Sequence, residues 1–244
     1  DGAFIASDMV ALLPYSKDYF VVPEEHIVVM TPDGIKLYTM DQEEVAPKML
    51  HVDWDTTAAQ KGGYDFFMQK EIFEQPEALK NTVMPRLHNG RADFSADNIS
   101  DDIFKDINRV VVTACGTAMH AGLVGRHLIE SMLRIPVTVE LSSEFRYMNP
   151  ILDDHTLVIV VTQSGETADS LAALRLANER GAKTISIVNV KGSSIARESD
   201  YVLYTHAGPE IAVASTKAFS VQCAGMYLIA LKLAEINNMM TAEE

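Results

Sequence analysis

Three hydroxyl side chains and one amide stand within six consecutive residues, Thr162-Gln163-Ser164-Gly165-Glu166-Thr167. An apolar run precedes them and a helical pattern follows, so the segment predicts a loop between a strand and a helix. Hydroxyls and backbone N–H groups at the start of a helix hold anions, and these neutral donors carry no charge penalty when the site is empty. Capping the helix needs one hydroxyl rather than three. We therefore interpret the segment as an anion cradle, with simple capping as the competing interpretation.

A second loop, Ala114 to Ala118, follows a β-branched run and opens another helical pattern. Gly116 lets the backbone approach a ligand, and Thr117 either binds that ligand or caps the helix. Cys115 is either a nucleophile, because a helix N-terminus lowers a thiol pKa, or a small buried residue beside a strand end. The residues of this loop leave all of these interpretations open.

A third segment, Gly208 to Lys217, contains Ser215 and Thr216 just before a long apolar stretch. These hydroxyls either cap the following helix or contact a sugar hydroxyl. No Gly-Lys-Ser/Thr follows the anion cradle, and the chain has no Gly-x-Gly-x-x-Gly, so neither a Walker loop nor a dinucleotide loop is present. A nicotinamide-dependent dehydrogenase is thereby disfavoured.

Strands and helices must alternate to position these loops. The strand-like runs are 109–113, 136–140, 157–161, 184–188 and 201–204, and the helix-like stretches are 117–133, 168–180 and 214–236. Continuous apolar strands between helices predict an α/β fold with a doubly wound parallel sheet, a flavodoxin-like α-β-α sandwich, with ligands bound at the carboxyl ends of its strands. We expect one face of the first helix to be formed by His120, Leu123, Val124, His127, Leu128 and Met132.

The first 63 residues differ in character from the rest. Residues 4–7 are strand-like, and two short strands flanking Thr31-Pro32-Asp33-Gly34 predict a hairpin at the end of a β-rich domain. The stretch from Pro47 to Gly63, which contains Trp54, is interpreted as a linker. A helical pattern begins at Tyr64, and Pro76 is expected to end or kink it.

Composition excludes several classes of partner. A net charge of −14 argues against nucleic acid and anionic membranes as partners. The sequence contains no run of about 18 apolar residues, so no membrane span is predicted. The two cysteines, Cys115 and Cys223, match no metal spacing, so we expect no metal or other cofactor and a reduced, cytoplasmic setting. A phosphate ligand must be held by local donors against the overall negative field.

Seven stretches in order along the chain carry a resemblance to a known family. They are Phe4-Ile5-Ala6-Ser7-Asp8, Met68-Gln69-Lys70-Glu71-Ile72 with Glu74-Gln75-Pro76, Ala114-Cys115-Gly116-Thr117, Ser143-Glu144-Phe145-Arg146-Tyr147, Gln163 to Asp169, Gly192-Ser193-Ser194 and Val213 to Phe219. The loops resemble the SIS (sugar isomerase) domain, and the whole chain resembles the glutamine–fructose-6-phosphate aminotransferase family. A free-standing SIS-type regulatory module is the alternative, although residues 1–45 argue against it.

The resemblance implies a division of the chain and a set of ligands. Residues 1–45 would be the end of a glutaminase domain, 46–60 the interdomain linker, and 61–244 the start of the isomerase domain with its first SIS subdomain. This part would bind fructose 6-phosphate or glucose 6-phosphate and form a homodimer. It would not turn over alone, because the family's catalytic glutamate, histidine, lysine and N-terminal cysteine have no counterpart here, so no residue is assigned a catalytic role.

The resemblance also implies roles for individual residues. Those expected to hold the phosphate are Thr162, Gln163, Ser164 and Thr167, and those expected to line the sugar are Cys115, Gly116, Thr117, Val213, Ala214 and Ser215. Ala118 departs from the family, which usually has serine there, and one hydroxyl on the phosphate side is therefore expected to be lost.

Overall fold

The computed structural model describes residues 2–6, 11–52 and 60–239. Its contacts divide the chain into two units, residues 1–62 and 63–244. Ser7, Asp8, Trp54 and the acidic residues Glu243-Glu244, all noted from the sequence, lie outside the described residues.

The first unit is built from short antiparallel strands. Their bounds are β1 Asp18–Tyr19, β2 His26–Thr31, β3 Gly34–Thr39, β4 Glu44–Val45 and β5 Leu50–His51. The predicted hairpin is confirmed, because β2 pairs with β3 in a register that places Thr31 opposite Gly34. The strand predicted at residues 4–7 is wrong over residues 4–6, which have no regular structure.

The second unit is a three-layer α/β sandwich. Its helices and strands are α1 Phe67–Val83, β6 Leu87–His88, β7 Arg91–Ala92, β8 Arg109–Ala114, α2 Thr117–Leu133, β9 Val137–Leu141, α3 Ser142–Phe145, β10 Thr156–Thr162, α4 Ala168–Glu179, β11 Lys183–Val188, α5 Ser194–Glu198, β12 Tyr201–Tyr204 and α6 Lys217–Ile236. The main sheet has the order β12-β11-β10-β8-β9, and all its pairs are parallel. This is the flavodoxin-like order 2-1-3-4-5, so the predicted fold class is confirmed.

Apolar clusters cover both faces of this sheet. The cluster on one face takes residues from α2 and α6, and that on the other from α3, α4 and α5. β10 lies at the centre, and all seven of its residues are buried, as expected for a strand covered on both sides. Gly181 ends α4 as predicted, with a φ of 75°.

The face of α2 expected from the sequence is not its buried side, since His120, Leu123 and His127 are exposed. The buried side of α2 is composed mainly of small residues: Ala118, Ala121, Gly122, Gly125, Ile129 and Leu133. A Cβ at Gly122 would lie 2.8 Å from Val112 Cγ1, and one at Gly125 would lie 2.1 Å from Met226 Cε. At Gly122 and Gly125 the helix is packed so closely against the sheet and α6 that larger side chains are excluded.

Pro76 neither ends nor breaks α1, which continues to Val83. Proline cannot donate the hydrogen bond that the Ile72 carbonyl would normally accept. Gln75 supplies that donor instead, because its Nε2 lies 3.0 Å from Ile72 O, while its Oε1 accepts a bond from Ser220 Oγ on α6. A side chain therefore replaces the missing backbone donor and joins the helix to its neighbour.

The helix α6 begins at Lys217 rather than at the predicted Ala214. By length and composition it is the one helix among residues 2–6, 11–52 and 60–239 that could cross a membrane, and 56% of its most apolar window is buried inside the unit. It packs against α1 and α2, which is the environment of a core helix.

Candidate functional site

The strand order brings two of the predicted loops to one point. β8 and β10 are neighbours in the sheet, but their following helices cover opposite faces. The crevice at such a switch lies outside the carboxyl ends of the two strands. Residues 115–117 follow β8 and residues 162–167 contain the end of β10 and the loop after it, so both flank the switch.

The hydroxyl groups of the 162–167 loop are arranged as acceptors of internal bonds. Thr162 Oγ1 accepts from Gly165 N, and Ser164 Oγ accepts from Glu166 N, each at 3.2 Å. Neither hydroxyl donates its proton to a described residue, so both protons are available to an acceptor such as a phosphate oxygen. Thr167 occupies the N-cap position of α4 but its side chain makes no capping bond. The competing interpretation, that the hydroxyls of this loop cap α4, is therefore wrong. This outcome favours the ligand-binding interpretation.

Gly165 allows this loop to turn against the next one. It has a φ of 70°, and a Cβ there would lie 1.9 Å from Ser193 Oγ. Gly165 O accepts a bond from Ile195 N, and Glu166 Oε1 accepts one from Ser194 N. The predicted anion cradle is thus fixed to the start of α5 by the Gly165 carbonyl and the Glu166 carboxylate.

Gln163 points toward the third predicted segment. Its Nε2 lies 3.5 Å from Gly208 O, a long contact. Its Oε1 is buried and has no hydrogen-bond partner among the described residues. An amide with an unused buried acceptor is costly to maintain, which is consistent with a group that awaits a hydroxyl donor.

The loop after β8 takes a backbone conformation that favours glycine. Gly116 has φ 60° and ψ −137° and is the N-cap of α2, so Thr117 is the first helical residue and does not cap. Thr117 is exposed. Cys115 is partly buried, and its sulfur lies 3.8 Å from Ser170 Oγ.

A row of buried hydroxyls supports this loop from below. Thr113 Oγ1 lies 3.0 Å from Ser142 Oγ, which lies 3.1 Å from Ser170 Oγ. Ser170 in the first turn of α4 then contacts the Cys115 sulfur. These contacts join the ends of β8 and β9 to α4 and connect the two loops that flank the switch.

The third segment is held by a residue that the sequence did not single out. Glu210 Oε1 accepts bonds from Thr216 N and Ala218 N, and its Oε2 accepts one from Ser215 Oγ. Thr216 is the N-cap of α6 but its side chain makes no capping bond. The predicted capping by Ser215 or Thr216 is therefore wrong, because the carboxylate of Glu210, which precedes the helix by several residues, caps it instead.

Asn189, directly after β11, was also missed. Its Oδ1 accepts from Ala207 N at 2.9 Å, and its Nδ2 donates to Gly208 O at 2.9 Å. A buried amide immediately after an apolar strand was visible in the sequence and could have indicated this role. Asn189 fixes the start of the segment that continues to Ser215.

The structure thus brings some predicted residues into contact and leaves others apart. Gln163 reaches Gly208, and Cys115 contacts Ser170 of the helix that follows the cradle. Val213 and Ala214 are exposed at the tip of their segment. Among the described residues, no hydrogen bond joins Val213, Ala214 or Ser215 to residues 162–167.

Ala118 is buried within the apolar cluster beneath α2. Its side chain faces the core, where a polar group would need a partner. The expected loss of a hydroxyl at this position stays a prediction.

A doubly wound parallel sheet with a hydroxyl-rich loop at its switch point defines an α/β domain of the class that binds its ligands at the carboxyl ends of the strands. The SIS domain family matches residues 103–232, and the chain belongs to this family. Curated relatives extend the likeness beyond that core. The chain is 51% identical over 243 residues to glutamine–fructose-6-phosphate aminotransferase [isomerizing] of Clostridium tetani, covering 99% of this chain and 40% of that protein.

A second relative and a solved structure agree. The protein of the same name from Clostridium acetobutylicum is 48% identical over 246 residues, covering 100% of this chain and 40% of that protein. The C-terminal domain of glucosamine-fructose-6-phosphate aminotransferase from Francisella tularensis superposes with a TM-score of 0.72 at 38% identity, over 75% of this chain and 52% of that one. The chain therefore spans about 40% of the length of the curated relatives it matches.

Proposed function

We propose that this chain is the sugar-phosphate-binding part of a glutamine–fructose-6-phosphate aminotransferase. The whole enzyme would convert fructose 6-phosphate and glutamine to glucosamine 6-phosphate and glutamate, in the cytoplasm and for hexosamine synthesis. The observation that carries the proposal is the 162–167 loop, whose hydroxyls flank the switch of the sheet without capping a helix. The named relatives supply the particular reaction.

The phosphate is proposed to bind at residues 162–167. Thr162, Ser164 and Thr167 would donate their hydroxyl protons, and Gln163 would donate from its amide nitrogen. Neutral donors leave no cation buried and unpaired when the site is empty. They must hold the phosphate locally, because the chain has a net charge of −14.

The sugar carbons are proposed to extend from the phosphate along two sets of residues. These are Cys115, Gly116 and Thr117 on one side and Val213, Ala214 and Ser215 on the other. The phosphate does not react, so its binding energy would serve to position the reacting carbons. This part of the enzyme holds the substrate, and no residue in it is assigned to proton transfer.

The proposal extends to organisation along the chain. Residues 1–45 are proposed to end a glutamine amidotransferase domain, and residues 46–60 to link it to the isomerase domain. The boundary between the two compact units at Gly62-Gly63 supports a division close to that linker. A homodimer is proposed as the working state.

Calorimetry with the 244-residue chain tests the proposal. Fructose 6-phosphate, glucose 6-phosphate and inorganic phosphate should bind, and fructose should not. Ser164→Ala and Thr167→Val should each weaken sugar-phosphate binding about tenfold or more, since a hydrogen bond to a charged group contributes about 1.5–3 kcal/mol. Ser131→Ala is the matched control, because its exposed hydroxyl bonds only to Leu128 O within α2.

Two results would contradict the proposal. One is unchanged affinity in both loop variants, and the other is phosphate density away from residues 162–167 in a soaked crystal. Production of glucosamine 6-phosphate from glutamine by the pure chain would contradict the assignment of this part to binding alone.

A further inference from the structure

The helix α1 lies outside the region matched by the SIS family, residues 103–232, but it holds a loop of that region. Glu71 on α1 is only 2% exposed. Its Oε1 accepts hydrogen bonds from two consecutive backbone amides, Ile211 N at 2.6 Å and Ala212 N at 3.1 Å. Further along α1, Thr82 Oγ1 accepts a bond from His206 N. Side chains of α1 therefore bind the backbone of this loop at two places.

The carboxylate of Glu71 is committed to this loop alone. The neighbouring cations Lys70 and Lys217 both pair with Glu74. Glu71 has no ion-pair partner among the described residues, and its buried Oε2 has no hydrogen-bond partner among them either. A buried carboxylate with one bare oxygen is unfavourable in itself. The favourable contacts of this carboxylate are its two Oε1 bonds to the loop backbone.

These bonds lie immediately before the exposed tip of the loop. Ala212 is followed by Val213 and Ala214, which are both exposed. After the tip, Glu210 fixes Thr216 N. The backbone of the tip is thus bounded on both sides by bonds to a carboxylate, which restricts where its N–H and C=O groups can point.

We propose that Glu71 is a positioning residue that determines recognition of the sugar part of the ligand. It fixes the backbone at Ile211-Ala212 so that residues 213–215 meet the sugar, while the phosphate is held separately at residues 162–167. The inference rests on the proposed function and deepens it. It assigns the specificity of an SIS site to a side chain outside the SIS core.

The test compares two ligands on the 244-residue chain, fructose 6-phosphate and inorganic phosphate, by calorimetry. Glu71→Ala should weaken the binding of fructose 6-phosphate about tenfold or more, because the loop loses two bonds to a charged acceptor and must be ordered by the ligand. The affinity for inorganic phosphate should stay within about twofold. Glu71→Gln keeps an oxygen acceptor and should fall between Glu71→Ala and the unchanged chain. Glu77→Gln is the control, since Glu77 is exposed on the same helix and accepts a hydrogen bond from Asn81 rather than from the loop.

A spectroscopic measurement accompanies the binding data. The amide protons of Ile211 and Ala212, bonded to a carboxylate, should resonate downfield in an NMR spectrum of the ¹⁵N-labelled chain and move upfield in Glu71→Gln. Glu77→Gln should leave them in place. Circular dichroism shows whether Glu71→Ala is folded, and if it is not, Glu71→Gln carries the same two-ligand comparison.

The outcomes separate the inference from the proposed function. Equal weakening of both ligands, or no weakening of either, overturns the role of Glu71 while leaving sugar-phosphate binding intact. A loss confined to fructose 6-phosphate supports it. Failure of the unchanged chain to bind fructose 6-phosphate at all would refute the proposed function and this inference together.

Discussion

Substitution of Gly165 by alanine should strongly destabilise the second unit. The new Cβ would lie 1.9 Å from Ser193 Oγ and 2.5 Å from Ser193 Cβ, and it would also lie 3.0 Å from Val188 Cγ1. Ser193 is buried and Val188 belongs to the central sheet, so neither atom has free space into which to move. The backbone at Gly165 also has a φ of 70°, which residues with a Cβ rarely adopt.

The two costs can be separated with a second glycine. A positive φ costs an alanine about 1–2 kcal/mol, and inserting a methyl group into a packed site costs about 1–3 kcal/mol more. Gly181 has a similar φ of 75°, but nothing lies within 4 Å of its hypothetical Cβ. Gly181→Ala should therefore cost only about 1–2 kcal/mol, whereas Gly165→Ala should cost roughly 2–5 kcal/mol.

Urea unfolding followed by far-ultraviolet circular dichroism measures both variants, because α1 to α6 all belong to the second unit. The double variant Gly165→Ala/Ser193→Gly removes the closest contact and should recover about 1 kcal/mol or more. Equal destabilisation by Gly165→Ala and Gly181→Ala, with no recovery in the double variant, would refute the close approach of the 162–167 loop to Ser193.

Two further predictions concern charge. Asp97→Asn should lower the free energy of unfolding by about 3 kcal/mol, because it leaves the buried Arg86 guanidinium without its bidentate partner. The control Asp102→Asn breaks a separate, exposed ion pair and should have little effect. Equal losses of stability in urea unfolding would contradict this prediction. Partial desolvation of the ring, with the nearby cations Arg86 and Lys191, lowers the pKa of His206 below its ordinary value, although part of the residue is exposed. The unfolded chain therefore binds this proton first, so stability should fall from pH 7.5 to about 5.5, and fall less in His206→Gln; identical losses in both proteins would contradict this.

Much of the fold was predictable because local pattern and burial agree in the sheet. The run at residues 157–161 is apolar throughout, and the structure places it at the centre with both faces covered. The buried side of α2 was not predictable from large apolar residues alone, because much of it is formed by alanine and glycine. Gly122 and Gly125 mark the contacts, and their meaning depends on Val112 and Met226, which are distant in the sequence.

The candidate site divides in the same way. The 162–167 segment was predictable as a loop because its polar residues lie within six consecutive positions, and its internal bonds span only two or three residues. The supports of the third segment were not, because Glu71 is separated from Ile211 by 140 residues. Pro76 failed as a helix breaker for a related reason, since a side chain next to it replaces the missing backbone donor.

The two parts of the candidate site are held by different kinds of contact. The loop after β10 takes its shape from its own internal bonds and from bonds to the start of α5. The segment that ends at Ser215 depends instead on carboxylates and an amide from α1, from β11 and from its own N-terminal side. Changes in those supports should alter which sugar is accepted while leaving the phosphate bound. The proposals for the two parts of the site together predict that one anion cradle serves different sugars when the elements that hold the second segment are exchanged.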